Sequence, residues 1–180
     1  DFSGLLEGKR AMEVISRFVP DVNIEDFPIK YGAVATDLYS EQAVEFTSGK
    51  VLSAIRASIS IPGIFTPVVD DTKLLVDGML VDPVPVALAH KLGATKVIAI
   101  NITPNVQEEH LAVSAHSPNI MGVIDRTWRM VEKMAVKASM NTLEGDIIIE
   151  PLSKNFSPLN FSKADELIAC GYESVKKALS

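Results

Sequence analysis

The stretch that decides the fold is residues 56–85, RASISIPGIFTPVVDDTKLLVDGMLVDPVP. Within it, residues 64–69 and 73–76 are rich in β-branched and apolar residues and flank a polar Asp-Asp-Thr run, which favours a β-hairpin with a tight connection. The second strand ends in Asp77, and Gly78 follows as a residue free to adopt a positive φ. The stretch therefore predicts a hairpin whose second strand ends in the carboxylate of Asp77.

The flanking sequence alternates between helical and strand-like patterns. Apolar residues at helical spacing predict helices over residues 5–18, 50–58, 84–92, 120–138 and 162–179, the last with Ser162 and Asp165 as a capping box. Strands are predicted over residues 29–38, 43–47, 96–102 and 146–150. The run 96–102 is typical of a strand buried on both faces, and the strand-helix-strand order around it indicates a parallel sheet. We therefore predict an α/β fold with a mostly parallel sheet in a single domain, residues 1–180.

Composition excludes several classes of protein. The 180 residues are 47% hydrophobic, which suits one globular domain and excludes a disordered chain or a coiled coil. The 17 Lys and Arg against 23 Asp and Glu leave a net charge of −6, so we expect no nucleic-acid partner. The single Cys170 cannot form an internal disulfide, and no apolar stretch reaches the ~18 residues of a membrane span. We expect a cytoplasmic chain, at most peripheral to a membrane, and a fragment of a longer protein because it begins at Asp1 without a leader.

Familiar catalytic and nucleotide-binding motifs are missing. The glycine spacings allow neither a P-loop nor a G-x-G-x-x-G turn, and there is no H-E-x-x-H or G-x-S-x-G. The only cluster of His and Glu lies in the polar segment 103–119, which is read as a solvated loop, either a lid or a linker. The sequence thus predicts no metal and no cofactor, and a complete Ser-His-Asp site cannot be assembled.

Asp77 is the strongest candidate for chemistry. Sites in open α/β sheets form at the carboxyl ends of strands, although Asp77 could equally cap the proline-rich segment after it. Ser58 and Ser60 lack the flanking glycines of a nucleophile turn, and hydrogen bonding at a helix end is the favoured interpretation. His90 is interpreted as a partly buried structural histidine.

A set of short blocks in a fixed order makes the sequence recognisable. The blocks are Ala35-Thr36-Asp37-Leu38, Arg56-Ala57-Ser58-Ile59-Ser60-Ile61-Pro62, Phe65-Thr66-Pro67, Leu75-Val76-Asp77-Gly78, Asp82-Pro83-Val84-Pro85-Val86 and Leu92-Gly93-Ala94. Together they resemble the bacterial patatin-like phospholipases, and the resemblance spans almost the whole chain. It implies a three-layer α/β/α fold, present here in part, with a β-hairpin before the catalytic aspartate.

The resemblance also implies an activity. Members of that family are lipid acyl hydrolases with a Ser-Asp dyad, and Asp77 with the motif-supporting Gly78 matches their D-G-G or D-G-A motif, whereas Met79 stands where they usually have a small residue. Their serine and oxyanion loop lie upstream of everything present here. The chain is therefore expected to supply only the aspartate, to be inactive alone, and to need the upstream half or a second copy of itself to cover its sheet.

Two alternatives stay open beside a hydrolase of lipid or other carboxylic esters. The same fold could serve as a non-catalytic regulatory or binding module, with Asp77 structural. It could also be an acyltransferase that passes the acyl group to a thiol or alcohol. A G-x-S-x-G after a strand in the parent protein would favour catalysis over the module.

Overall fold

The computed structural model describes residues 7–103, 120–140, 142–151 and 161–180. The helices are α1 (Lys9–Ile15), α2 (Val51–Ser58), α3 (Val86–Lys91), α4 (Ile120–Ser139) and α5 (Ala164–Leu179). The strands are β1 (Ala33–Asp37), β2 (Gln42–Phe46), β3 (Val68–Asp70), β4 (Lys73–Asp77), β5 (Ile98–Ile100) and β6 (Ile147–Ile149). The predicted α/β class is confirmed. The predicted loop 103–119 lies outside the described residues except for Thr103.

The main sheet is antiparallel, and the prediction of a mostly parallel sheet was wrong. Its strands lie in the order β2-β1-β4-β3, and each neighbouring pair is antiparallel. The connections explain the difference, since residues 38–41 between β1 and β2 and residues 71–72 between β3 and β4 are too short for a parallel crossover. Parallel pairing occurs in the separate sheet of β5 and β6, whose connection contains α4.

The predicted β-hairpin is confirmed. Asp70 pairs with Lys73 across the end of β3 and β4, and Asp71 in the connection adopts a positive φ of 46°. Aspartate tolerates this left-handed conformation better than most residues, and its carboxylate is solvated at the exposed tip. The hairpin fixes the register of β4 and hence the place where that strand ends.

The core of the main sheet is formed by β1 and α2. All of β1 is buried, and small residues of α2, Ala54 and Ala57, pack on the sheet together with Leu75 of β4. Alanine side chains let the helix approach the strands closely, which shields the sheet where β4 runs beside β1.

The prediction of a fully buried strand over residues 96–102 was also wrong. Ala99 packs on Val136 of α4, but Ile98, Ile100 and Ile102 are 52%, 49% and 70% exposed. The described residues cover the face of β5 that carries Ala99 and leave the face of these isoleucines open.

The start of the last helix differs from its predicted capping box. Helix α5 begins at Ala164 after a 3₁₀ turn, Phe161–Lys163, and Lys163 takes the N-cap position predicted for Ser162. The acidic side chains of the first helical turn still complement the helix dipole.

Candidate functional site

Asp77 is the last residue of β4, so its predicted place at a strand end is confirmed. Its backbone is held from two sides: the Asp77 amide donates to the Ser60 carbonyl at 3.0 Å, and the Thr36 hydroxyl donates to the Asp77 carbonyl at 2.8 Å. Asp77 also pairs with Ala35 of β1 in the strand register. The main chain that carries the carboxyl group is therefore fixed on both edges.

The carboxyl group of Asp77 is oriented by a backbone amide and partly desolvated by burial. Burial raises its pKa above the ordinary value for aspartate; the Met79 amide, which donates to Oδ1 at 2.9 Å, acts in the opposite direction. The negative charge of Glu132 on α4 adds to the increase. A carboxylate that loses its water becomes a stronger base, so the setting favours accepting a proton.

Close packing, rather than a positive φ, explains why glycine is needed at position 78. Gly78 is not among the glycines with positive φ, which corrects the expectation from the sequence. A Cβ atom at Gly78 would lie 2.5 Å from the Val34 carbonyl oxygen. The turn after Asp77 thus sits directly on β1. Met79, where the sequence departs from the motif that it resembles, contributes the amide that donates to Asp77 and does not prevent the turn from forming.

Arg56 organises the segment that supports Asp77. Its guanidinium donates to the Ser60 hydroxyl at 2.5 Å, to the Thr66 carbonyl at 2.9 Å and to the Glu7 carbonyl at 3.1 Å. The same group lies 6.0 Å from the centre of the Phe65 ring, a cation–π distance. Because the Ser60 carbonyl accepts the Asp77 amide, Arg56 acts on Asp77 through Ser60 and is a positioning residue.

Ser58 and Ser60 both lie at the end of α2, and the hydroxyl of Ser60 is engaged in hydrogen bonds there. Ser60 is fully buried and its hydroxyl donates to the Arg56 carbonyl at 2.7 Å, which confirms the predicted hydrogen bond at a helix end. Ser58 is the half-buried last residue of α2.

Asp37, at the end of the neighbouring strand β1, has a structural role. Its Oδ1 accepts the amides of Leu74 and Tyr39 at 3.1 and 3.2 Å, and its Oδ2 accepts the Ser40 hydroxyl at 2.7 Å. The Ser40 bond is the main reason that the pKa of Asp37 is lowered. Asp37 therefore stays ionised and links β1 to β4, whereas the pKa of Asp77 is raised.

His90 on α3 and Asp146 directly before β6 form a partly buried polar pair. His90 Nε2 and Asp146 Oδ2 are 2.8 Å apart, and His90 Nδ1 is 2.8 Å from the Ala94 carbonyl. Asp146 also accepts the amides of Val97 and Leu143, both at 2.8 Å. The pair joins the starts of β5 and β6, which confirms the structural interpretation of His90.

An apolar cleft lies beside the turn that follows Asp77. It has a volume of about 360 Å³ and is lined by Leu80 of that turn and by Thr127, Trp128 and Val131 of α4. We call it the Trp128 cleft. The sequence patterns gave Trp128, Glu132 and Thr36 no role at the site, because α4 and β1 meet the Asp77 turn only through tertiary packing.

Comparison with known proteins bears on the family of the chain. A family model described as "Patatin-like phospholipase" matches residues 1–90, which include the whole Asp77 turn. The chain is 40% identical over 100 residues to an uncharacterised NTE-family protein of Mycobacterium bovis, covering 56% of the chain and 28% of that protein. It is 26% identical to a putative patatin-like phospholipase domain-containing protein of Caenorhabditis elegans (99% and 18%), and 29% identical to a lysophospholipase of Kluyveromyces lactis (84% and 12%).

These relatives are much longer, since the chain spans less than a third of each of them. Within the described ranges, no helix is both long enough and apolar enough to cross a membrane. The match of half the chain to the family model, with the D-G turn inside the matched part, identifies the protein: the chain belongs to the patatin-like phospholipase family.

Proposed function

We propose that the protein is an acyl hydrolase of lipid or other carboxylic esters that uses a Ser-Asp dyad, in which Asp77 is the general base. The observation that carries the proposal is the setting of Asp77: a strand end with a fixed backbone, an oriented oxygen and a pKa raised by burial. The relatives named lysophospholipases support an ester of a single acyl chain as the substrate.

In the proposed reaction, Asp77 accepts and returns one proton during acylation and again during deacylation. As the serine oxygen attacks the ester carbonyl, its proton passes to Asp77, and Asp77 returns it to the departing alkoxide. Water then attacks the acyl-enzyme and gives a proton to Asp77. Asp77 passes that proton to the departing serine oxygen, which regenerates the hydroxyl. Burial suits this role because an ordinary aspartate is too weak a base for a serine hydroxyl.

The nucleophile comes from outside this chain in our proposal. The 180 residues contain no G-x-S-x-G, and the hydroxyl of Ser60, whose carbonyl accepts the Asp77 amide, is engaged with Arg56 at the end of α2. A positioned base accelerates a reaction by about 10²–10⁴, but only when a nucleophile is present to use it. We therefore expect the chain alone to show no ester turnover.

We also propose that the upstream half of the same protein, or a second copy of the chain, covers the exposed face of β5. The support is the row of Ile98, Ile100 and Ile102, together with Ile168 and Tyr172 exposed on α5. Light scattering coupled to size-exclusion chromatography tests this: the chain alone should associate or elute as a dimer. A monodisperse 19.5 kDa monomer with a cooperative melt would contradict it.

The test of the proposed base is Asp77→Asn in the intact protein, assayed on p-nitrophenyl butyrate. Asparagine keeps an oxygen for the Met79 amide but cannot accept the serine proton, so we expect kcat to fall by about 10²–10⁴ with the fold retained. Asp82→Asn is the matched control, because burial also raises the pKa of Asp82, which lies five residues beyond the strand end. Retention of most activity by Asp77→Asn, or an equal loss in the control, would refute the assignment.

A further inference from the structure

Helix α4 carries an exposed and largely apolar stripe. Side chains at intervals of four, three and four residues share one side of an α-helix, and here they are Val123, Thr127, Met130 and Met134. The three apolar members are 47%, 59% and 65% exposed, and Thr127 is exposed as well. One side of this 20-residue helix is therefore uncovered by the residues that the structure describes. We call it the α4 face.

Cations run along one edge of the α4 face. Arg126, Lys133 and Lys137 are exposed, and their spacing places them together beside the apolar stripe. In the described parts of the chain, none of the three forms an ion pair. Glu132 lies on the opposite side of the helix, where it accepts the Thr103 hydroxyl at 2.9 Å. The α4 face is thus locally positive, although the whole chain has a net charge of −6.

The charge of the α4 face decides between possible occupants. A second copy of the chain packed stripe against stripe would double the positive charge in one place, which is unfavourable. An anionic lipid surface suits both parts of the face, because apolar side chains enter the boundary between head groups and acyl chains while Lys and Arg contact the phosphates. Met130 and Met134 are unbranched and flexible, so they adapt to a fluid surface.

Thr127 connects the α4 face to the candidate site. It belongs to the exposed stripe and also lines the Trp128 cleft beside the turn that follows Asp77. An α-helix with its side chains is about 10 Å across, so a surface that contacts the stripe lies roughly one helix width from the Asp77 turn. We propose that the α4 face docks the protein on an anionic lipid surface and holds the Asp77 site next to it. This docking goes beyond the proposed ester hydrolysis and needs no reaction at Asp77.

Binding to lipid vesicles tests the docking directly. The intact protein is sedimented with vesicles of ether-linked phosphatidylcholine, which offer no ester to hydrolyse, with or without about 30% ether-linked phosphatidylglycerol. We expect at least about tenfold tighter binding to the anionic vesicles. Raising NaCl from about 0.1 M to about 1 M shortens the Debye length from about 10 Å to about 3 Å and should remove most of that preference.

Two double variants and a matched control locate the surface. Arg126→Gln/Lys133→Gln should weaken binding to anionic vesicles about 25-fold, at about fivefold for each cation. Met130→Ser/Met134→Ser should weaken it at least about tenfold by removing the apolar contact. Lys176→Gln/Lys177→Gln removes the same charge from an exposed part of α5 and should change binding by less than about twofold.

Stability measurements in the same proteins distinguish the other occupants of the face. Because the methionines are exposed, Met130→Ser/Met134→Ser should keep the urea midpoint of the wild type. A clearly lower midpoint would show that the upstream half covers the α4 face and would overturn the docking. A wild-type dimer that this variant converts to a monomer in light scattering would assign the face to a second copy, with the same consequence.

Kinetics separate the docking from the proposed function. The α4 variants should hydrolyse soluble p-nitrophenyl butyrate at the wild-type rate but lose hydrolysis of ester lipids in anionic vesicles. Equal binding to neutral and anionic vesicles, or an equal effect of the α5 control, would overturn the docking. A wild type that binds anionic vesicles but hydrolyses neither kind of ester would refute the proposed function and leave the docking surface standing.

Discussion

Replacing Gly78 by alanine tests the packing that holds the Asp77 turn against β1. The added Cβ would lie 2.5 Å from the Val34 carbonyl oxygen and 2.8 Å from its carbonyl carbon. Favourable contacts of this kind lie near 3.5–4.0 Å, so the turn and the strand must separate by about 1 Å. Val34 belongs to a central strand paired on both sides and cannot yield without disturbing those bonds. Overpacking of this kind costs about 1–3 kcal/mol, and we expect the upper part of that range.

The control for this prediction is the same substitution where space is open. Gly171 lies in α5, and no heavy atom of the described residues lies within 4 Å of an added Cβ, so Gly171→Ala should stabilise the helix by about 0.5–1 kcal/mol. Urea unfolding of the intact protein should thus separate the two variants by about 3 kcal/mol. Since Asp77 precedes Gly78, ester hydrolysis should fall in Gly78→Ala only. A Gly78→Ala protein within about 0.5 kcal/mol of the wild type would refute the reasoning.

Two further predictions concern protonation. Bonds from His90 to Asp146 and to the Ala94 carbonyl favour the doubly protonated ring and raise the pKa of His90. The contribution of His90 to stability is therefore complete below its unfolded pKa of about 6.5 and is lost as the pH rises through the raised value. Urea midpoints between pH 5.5 and 8.5 should show this decline, and His90→Gln should flatten it; an unchanged slope would contradict the assignment. Burial is the main cause of the raised pKa of Asp77 and Glu132 adds to it, so Glu132→Gln should move the acid limb of kcat/KM to lower pH. An acid limb that moves upward or stays in place would exclude that coupling.

Local patterns were sufficient for the elements that carry the site. The polar connection between two β-branched runs identified the hairpin, and its register alone places Asp77 at the end of β4. Pairing between distant strands could not be read in the same way. The order of strand, helix and strand around residues 84–102 is compatible with a parallel pair, but β4 pairs with β1 and β3, and β5 pairs with β6.

The supporting contacts of the site were not predictable for a related reason. The Thr36 hydroxyl bonds to a carbonyl 41 positions away, and Arg56 reaches a carbonyl 49 positions away. The sequence suggested a positive φ as the reason for Gly78. The actual reason is the close approach of the Val34 carbonyl, which exists only once β1 and β4 have paired. Composition and periodicity describe single elements, whereas these bonds depend on how two elements meet.

The open face of β5 has a consequence for the physical state of the chain in solution. Residues 97–102 are a run without charge or proline, and β5 has a neighbouring strand on one side in the described parts of the chain. Such a segment is a template for edge-to-edge pairing and for cross-β stacking. In a concentrated preparation of this chain alone, intermolecular strand pairing along residues 97–102 would limit solubility before unfolding does.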